Sequence, residues 1–333
     1  MMGACGTATR TPTAQPDGGG AEVSELVDSG APPTQQDGQS AVDVDADPAA
    51  SCQWVKAVEV GKLNDPRLPE LSGLAASRAR PGWLWGHNDS GEEVARLLLI
   101  DETAQVRGEL RMPAEEVIDW EDIAAGPCQG GRPETSCLWI GDIGDNSHKR
   151  SELRVLRVSE PQIEAGDGPF TWETTATRYL FRYPSTGEGG PESKAPDAEA
   201  MVVLPDATLW VLTKQNDGRS RVFHVKPQAD KTVVATLLTT LDLRDDKLRR
   251  GLSLRATAAD LRGGQLVVRT YFRAWAFDVT PWLKGDFISP TRTPVPAGFD
   301  VQGEALAIGL DGDIWHSSEG LDQPLWHLSC SAP

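Results

Sequence analysis

A short phrase recurs along this chain, and its recurrence limits the fold more than any other feature. In its clearest form an acidic turn runs directly into an apolar strand, Pro196-Asp197-Ala198-Glu199-Ala200-Met201-Val202-Val203. Asp119-Trp120-Glu121-Asp122-Ile123-Ala124 and Val301-Gln302-Gly303-Glu304-Ala305-Leu306-Ala307 are close copies. Glu70-Leu71-Ser72-Gly73-Leu74-Ala75 and Arg255-Ala256-Thr257-Ala258-Ala259 are weaker ones. Aligned, the five phrases put Ser72, Glu121, Glu199, Thr257 and Glu304 at one equivalent position. A position that recurs in every unit of a repeat comes together in space.

Further apolar runs follow each phrase. A second strand is expected at Leu84–Gly86, Leu138–Ile140, Leu209–Val211, Leu266–Val268 and Ile314–His316. A third is expected at Arg96–Ile100, Leu153–Val158, Arg221–Val225, Trp275–Val279 and Leu325–Leu328. A fourth lies at Val106–Met112, Thr177–Tyr183, Val233–Leu241 and, least clearly, Thr291–Val295. Four strands per unit, repeating at about fifty residues, is the pattern of propeller blades. The expected fold is all-β, a single five-bladed β-propeller closed by its N- and C-terminal strands. The long interval between the second and third phrases leaves room for a sixth blade, but reads more simply as one excursion.

Three regions are expected. Residues 1–5 resemble a lipobox, because Met2-Gly3-Ala4 places small residues just before Cys5, which would carry the lipid. No charged or long apolar stretch precedes it, so translation is expected to start further upstream. Residues 6–51 are Gly, Pro, Ala, Ser, Thr, Gln and Asp with almost no large apolar side chain. Such a segment cannot offset its ordering entropy and reads as a disordered acidic tether. Residues 52–333 form the propeller, of a size that suits one large all-β domain. No apolar run in it is long enough to cross a membrane. The net charge of -17 argues against a nucleic-acid partner. The expected setting is extracytoplasmic, in the cell envelope, as a monomer that touches the membrane through its lipid alone.

Apart from Cys5, four cysteines remain, and four allow three pairings. Cys128 and Cys137 flank the Gly/Pro-containing loop 129–136, so a local bridge is expected. Cys52 precedes the alternating run Trp54-Val55-Lys56-Ala57-Val58, and Cys330 ends the last strand. Propellers close by pairing an N-terminal strand with the final blade, so Cys52–Cys330 would staple that seam. A bridge closing so long a loop is worth roughly 4 kcal/mol in the chain-entropy model. Both bridges imply an oxidising compartment, and no cysteine has zinc-finger spacing.

The chemistry is expected in two layers. The innermost strand of each blade lines the central channel, so Ser72, Glu121, Glu199, Thr257 and Glu304 would meet near its axis. Three crowded carboxylates need a neutralising cation. Oxygen ligands and loose geometry point to Ca²⁺. Alternatively each Glu caps its own blade around a wet channel. The second layer lies at the ends of the second strands: His87-Asn88-Asp89, Asp142 with Asp145-Asn146, Thr213-Lys214-Gln215, Arg269-Thr270-Tyr271 and Ser317-Ser318-Glu319. There Lys214 and Arg269, with His87, Asn88 and Tyr271, would cradle a small anionic ligand or substrate. Asp89, Asp142 or Glu319 would activate water. Inter-blade salt bridges and turn caps are the competing explanation, and Asp142-Ile143-Gly144-Asp145-Asn146 also reads as a tight turn.

Glu70-Leu71-Ser72-Gly73-Leu74, Asp119-Trp120-Glu121-Asp122-Ile123-Ala124 and Gln302-Gly303-Glu304-Ala305-Leu306 resemble the blade phrases of calcium-activated nucleotidases (apyrases). That resemblance implies a five-bladed propeller with Ca²⁺ in the channel and hydrolysis of nucleoside di- and triphosphates at its mouth. Glu70–Leu74 and Ser318-Glu319-Gly320 are similar to the SdiA-regulated propellers. The set from Ser72 to Glu319 resembles a family of bacterial secreted or lipoprotein β-propellers, most specifically in Asp119–Ala124 and Gly141–Asn146. These likenesses cover blade cores; the loops that would select a substrate do not match the nucleotidases.

Other signatures are missing. There is no P-loop and no Gly-x-Ser-x-Gly elbow. The five His are scattered over different units, and only His87 is placed for acid–base work at the mouth. Trp85, Trp139, Trp210 and Trp315 recur in register on the second strand, which predicts packing between blades rather than a sugar-stacking stripe. Three functions fit: a Ca²⁺-dependent phosphoric-ester or anhydride hydrolase, a non-catalytic binding or scaffold propeller with structural calcium, and a carbohydrate-active propeller with two acids at glycosidase spacing.

Overall fold

The computed structural model describes residues 52–91, 93–132, 135–185, 195–244 and 254–331. Cys5 and the acidic tether lie outside the described residues. The described part opens with two N-terminal strands, β1 (Gln53–Trp54) and β2 (Val58–Leu63), and continues into five antiparallel blades. Blade 1 is β3 (Leu71–Ala76), β4 (Leu84–Asn88), β5 (Arg96–Ile100) and β6 (Val106–Arg111). Blade 2 begins with β7 (Trp120–Pro127), β8 (Ser136–Asp142) and β9 (Leu153–Ser159). The chain then detours through β10 (Phe170–Glu173) before β11 (Thr177–Arg182) completes the blade. Blade 3 is β12 (Ala198–Val203), β13 (Leu209–Thr213), β14 (Arg219–Val225) and, after a short β15 (Val233–Val234), β16 (Thr236–Asp242). Blade 4 is β17 (Ala256–Arg262), β18 (Gln265–Thr270), β19 (Arg273–Asp278), a one-turn helix α1 (Thr280–Leu283), and β20 (Arg292–Val295). Blade 5 is β21 (Gly303–Ile308), β22 (Ile314–Ser318) and β23 (Gln323–Leu328), completed by β2 pairing antiparallel with β23.

Ring closure follows the expected plan. A last strand, β24 (Cys330–Ser331), pairs with β1, and the Cys52–Cys330 disulfide joins them. Cys128–Cys137 forms the local bridge. Both bridges fit an oxidising, extracytoplasmic environment. Among the described residues no helix is long and apolar enough to cross a membrane.

Among the described residues, the interval between the second and third phrases holds no sixth blade. After β9 the chain returns to blade 1, where β10 adds as a fifth, parallel strand on β6. Trp172 and Phe170 of β10 pack against Trp85 and Trp83. Glu160 fastens this return: its carboxylate accepts the Ser77 and Ser136 hydroxyls at 2.6 Å each and the Trp85 indole N–H at 3.0 Å.

The hydrophobic core is divided into seams, each between consecutive blades. Trp85 packs among blade 2 side chains such as Ile123 and Leu138, and Trp139 among Met201 and Val211 of blade 3. Trp210 packs among Leu266 and Val268 of blade 4, and Trp315 among Leu71 and Leu74 of blade 1. Blade 4 has Val267 at this register, and it packs on Leu306 and Ile308 of blade 5. The recurrent tryptophans are therefore seam fillers, each facing the following blade. The inner strands β3, β7, β12, β17 and β21 touch in a ring. Their small residues (Ala75, Ala124, Ala200, Ala258, Ala305) allow that approach. Asp122 is fully buried in the ring and accepts backbone N–H groups of Ile123, Met201 and Ala259, tying blades 2, 3 and 4. Asp260 repeats the device, accepting Leu261 and Ile308 N–H to tie blades 4 and 5.

Candidate functional site

The five stacked positions share one backbone feature. In every blade the ladder between the first and second strands skips one residue of the inner strand. The skipped residues are Ser72, Glu121, Glu199, Thr257 and Glu304. Each is the extra residue of a β-bulge, a device that re-aims a side chain at a barrel rim or active site. The alignment of phrases is thus an alignment of five bulges.

Two further tiers surround them. Two residues before each bulge stand Glu70, Asp119, Asp197, Arg255 and Gln302. Just past the end of each second strand stand Asp89, Ile143, Lys214, Tyr271 and Glu319. Backbone bonds join the tiers: Asp89 N–H to Glu70 O, Lys214 N–H to Asp197 O, and Glu319 N–H to Gln302 O, at 2.9–3.1 Å. These fifteen positions form one mouth of the channel. Eight carry carboxyl groups and two, Lys214 and Arg255, carry cations.

Lys214 is the electrostatic centre. Its ammonium pairs with Glu199 and lies 5.9 Å from the Tyr271 ring. It also acts on Glu121 and Glu304, drawing both carboxyl groups back toward the charged form. Its one charge does not suffice. Burial, with Asp119 beside it, holds Glu121 well above the usual carboxylate range. Burial, with Glu319 beside it, pushes Glu304 up to about 7. Burial, with Asp197 next in effect, pushes Asp119 up to about 6. Tyr271 is raised too, by burial and by Glu304. Gln302 Nε2 donates to Glu304 Oε1 at 3.1 Å and to Glu319 Oε2, clamping those two carboxyls side by side. Gly144 admits the opposite pair, since a Cβ there would collide with Glu121 Oε1 and the Asp119 carboxyl.

The hydroxyl members of the bulge tier are turned aside. Ser72 Oγ donates to Glu121 O at 3.0 Å and Thr257 Oγ1 to Gly303 O at 2.8 Å, each bridging to the next inner strand. Among the described residues, no group of three or more His, Cys, Asp or Glu side chains is placed to hold a metal ion. The five expected calcium ligands, Ser72, Glu121, Glu199, Thr257 and Glu304, do share the bulge tier, and calcium itself remains a proposal. As the side chains stand, Lys214 supplies the positive charge and the two hydroxyls serve blade contacts.

The second layer divides by register. Asp89, Lys214, Tyr271 and Glu319 occupy equivalent mouth positions. Asp142 falls one residue earlier, and alternate strand residues face opposite sides. It is fully buried, ion-paired with Arg150 at 2.8 Å and with Arg154. Asp145 caps the following turn, accepting N–H groups of Lys149 and Arg150. Arg269 falls two residues before Tyr271 and enters the seam between blades 4 and 5. There it pairs with Asp300 at 2.7 Å and donates to Ala305 O and Ser317 O. Gly303 leaves room for that guanidinium, which a Cβ would strike. Asp142 and Arg269 are thus corrected from mouth groups to buried ion-pair members. His87 is also buried: its Nδ1–H donates to Asn88 O at 2.9 Å, its ring meets Trp120 edge-on, and burial pushes its pKa down to about 4. Asn88 braces the mouth backbone, accepting Glu70 N–H and donating to Arg67 O.

Sequence reasoning missed Asp119, Asp197 and Gln302 as mouth residues, although all three stand inside the quoted phrases. Their signal was the constant two-residue offset from the bulge. A cavity of about 490 Å³ lies elsewhere, on blade 3, lined by Asp217, Arg219, Arg221, Asp242 and Arg244. Its Arg244 and Asp242 already pair with each other, so the mouth remains the candidate site.

No family model and no curated protein matches the chain. The likeness to calcium-activated nucleotidases and SdiA-regulated propellers rests on the short blade phrases alone. Among solved structures, the chain is similar to the PQQ-bound aldose sugar dehydrogenase of Streptomyces coelicolor, with 11% identity and a TM-score of 0.46 over 84% of this chain and 99% of that one. It is also similar to a gluconolactonase from Xanthomonas campestris, with 13% identity and a TM-score of 0.44 over 85% and 92%. The β-propeller domain of a Cps50 (Swd1) protein is a third, at 10% identity and a TM-score of 0.35 over 78% and 84%. At these identities and TM-scores, none of their chemistry carries over to this chain.

Proposed function

We propose that this extracytoplasmic propeller binds a small ligand at the channel mouth and hydrolyses an ester or anhydride bond in it by carboxyl acid–base chemistry. The observation that supports this reading is that Glu121, beside Asp119, and Glu304, clamped to Glu319 by Gln302, share the field of one ammonium, Lys214. Carboxyl groups held near neutrality in a cleft are fitted to proton transfer. Glu304, protonated up to about pH 7, gives its proton to the leaving oxygen. Asp119, ionised above about pH 6, takes one from water. Tyr271 donates a hydrogen bond to the charge that develops on the substrate, and Lys214, paired with Glu199, lends its field.

The test is a screen of carboxylic esters, phosphoric esters and phosphoric anhydrides, followed by Glu304→Gln and Asp119→Asn on any substrate turned over. Wild-type kcat/KM is expected to be bell-shaped between pH 6 and 7. Each variant should lose about 100-fold in rate and one limb of the bell. Undiminished rates in both variants, or no turnover of any class by the wild type, would overturn the reading.

A second reading keeps calcium. Glu199 Oε2 is buried without a hydrogen-bond partner, and a divalent ion would offset the crowding that raises Glu121 and Glu304. Calcium binding would then require Lys214 to leave Glu199. Titration calorimetry with CaCl₂ at pH 6, below the raised Glu304 value, separates the readings: the calcium reading demands proton release and a higher melting temperature. Attachment to the membrane through a lipid on Cys5 completes the proposal, and intact-mass measurement of protein from the producing cell checks it.

A further inference from the structure

We propose that the channel-mouth face docks a polypeptide segment carrying a lysine or arginine between apolar residues. The basic side chain enters the carboxyl groups and its neighbours rest on an apolar rim. This deepens the proposed function, on which it rests, by naming the class of ligand the mouth receives.

Charge selects the basic group. The mouth carries eight carboxyl groups against Lys214 and Arg255, and the whole chain is at -17. Lys214 is committed to Glu199, and the expected second cation, Arg269, lies in the blade seam. A cationic group is therefore favoured at the mouth over an anionic one. A specific acceptor is also waiting. Glu199 is 3% exposed, and its Oε2 has no hydrogen-bond donor although its other oxygen faces Lys214. A buried acceptor left without a donor is costly unless a ligand supplies one.

The rim selects a polypeptide over a free amine or a metal ion. Large apolar side chains stand exposed on the loops that surround the carboxyl groups. Phe299 is 78% and Val301 68% exposed, and Ile118, Phe272 and Leu321 are also exposed. Ile118 and Val301 sit three residues before their bulges, one step above Asp119 and Gln302. Phe272 follows Tyr271, and Leu321 lies two residues after Glu319. Backbone bonds from Glu319 N–H to Gln302 O and from Gly303 N–H to Tyr271 O draw these three loops together. Phe272, Val301 and Leu321 thus stand on the joined loops that carry Tyr271, Gln302 and Glu319, and Ile118 immediately precedes Asp119. Exposed apolar residues gathered around a polar centre mark an interaction surface. A metal ion would use none of them.

The test is titration calorimetry on the full chain in chelator, so that no metal competes, with three capped tripeptide amides as probes: Phe-Lys-Phe, Phe-Glu-Phe and Gly-Lys-Gly. Phe-Lys-Phe is expected to bind at least about tenfold more tightly than either other peptide, and to weaken as salt rises. Glu319→Gln should weaken it about tenfold, and the double variant Phe299→Ser, Val301→Ser severalfold. All these side chains are at least partly exposed, and an unchanged melting temperature confirms folding of each variant. Equal or tighter binding of Phe-Glu-Phe overturns the proposal. Gly-Lys-Gly binding as tightly as Phe-Lys-Phe also overturns it, while leaving the mouth as a binding site. If no peptide binds but an ester or anhydride is hydrolysed, docking fails and the hydrolytic reading stands. If Phe-Lys-Phe binds as expected and no substrate is turned over, docking stands and the hydrolytic reading fails.

Discussion

Two clusters in this propeller bury carboxyl groups beside cations, and they resolve the conflict in opposite ways. In the seam between blades 4 and 5, Asp300 is satisfied on both oxygens. Oδ2 meets Arg269 at 2.7 Å and the His316 Nδ1–H at 2.8 Å, while Oδ1 accepts the Trp326 indole N–H at 3.0 Å. His316 Nε2 in turn accepts Gly298 N–H. Although burial pushes the Asp300 pKa upward, Arg269 and His316 hold it down at about 2. At the mouth several carboxyl groups share one ammonium, and an oxygen of Glu199 has no donor. The lesson is that burial of charge alone does not separate scaffold from candidate site. Completeness of pairing does, because an incomplete set is ready to accept a partner.

The comparison can be broken in order of effect. Asp300→Ala leaves the Arg269 guanidinium buried without its carboxylate. It should cost about 3–5 kcal/mol, read as the shift in the urea midpoint. A cost below about 1 kcal/mol would mean that the seam is no keystone. Lys214→Met removes the counter-charge paired with Glu199. About 2–3 kcal/mol is expected at pH 8 and clearly less at pH 5, where the carboxyl groups protonate. An equal loss at both values would remove Lys214 from the centre of the cluster. Glu304→Gln should do the reverse and stabilise by about 1–2 kcal/mol at pH 8, with little change at pH 5.

The signs follow from the two shifts. Glu304 is raised from 4.5 to about 7, so its contribution is complete below its ordinary value and is lost as pH rises through 7. Asp300 is lowered from 3.8 to about 2, so its contribution is complete above the ordinary value and is lost as pH falls through 2. The seam should thus fail in acid and the mouth should loosen in base. A melting temperature that is flat between pH 5 and 8 in both wild type and Glu304→Gln would contradict the mouth half of this contrast.

Much of the fold was legible because a propeller repeats itself. The phrases around Glu121, Glu199 and Glu304 marked the inner strands. The four in-register tryptophans marked the seams, and Cys52 and Cys330 marked the closure. The site was half legible. A repeat shows that positions are equivalent but not which way a side chain faces. Asp142 lies one residue short of the mouth tier and so faces the other way, while Arg269, two residues short, lies deeper, in the seam. The bulges were hidden for the same reason: an inner strand with one unpaired residue reads like one without. Lys214 was visible as a strand-end cation, but its place among three glutamates required the closed ring. The sixth-blade alternative ended only with the pairing of β10 on β6, a parallel contact between segments about sixty residues apart.

The pairing of β2 with β23 has a consequence for biosynthesis. The strand that finishes the ring is made among the first of the domain, and its partner, Gln323–Leu328, among the last. Throughout elongation Val58–Leu63 is an open edge with nowhere to go, and any prematurely stopped product ending before Gln323 keeps that edge permanently. The same geometry gives the producing cell a simple criterion for a finished molecule: only a full-length chain can bring Cys330 to Cys52 and hide its first strand from proteases and chaperones.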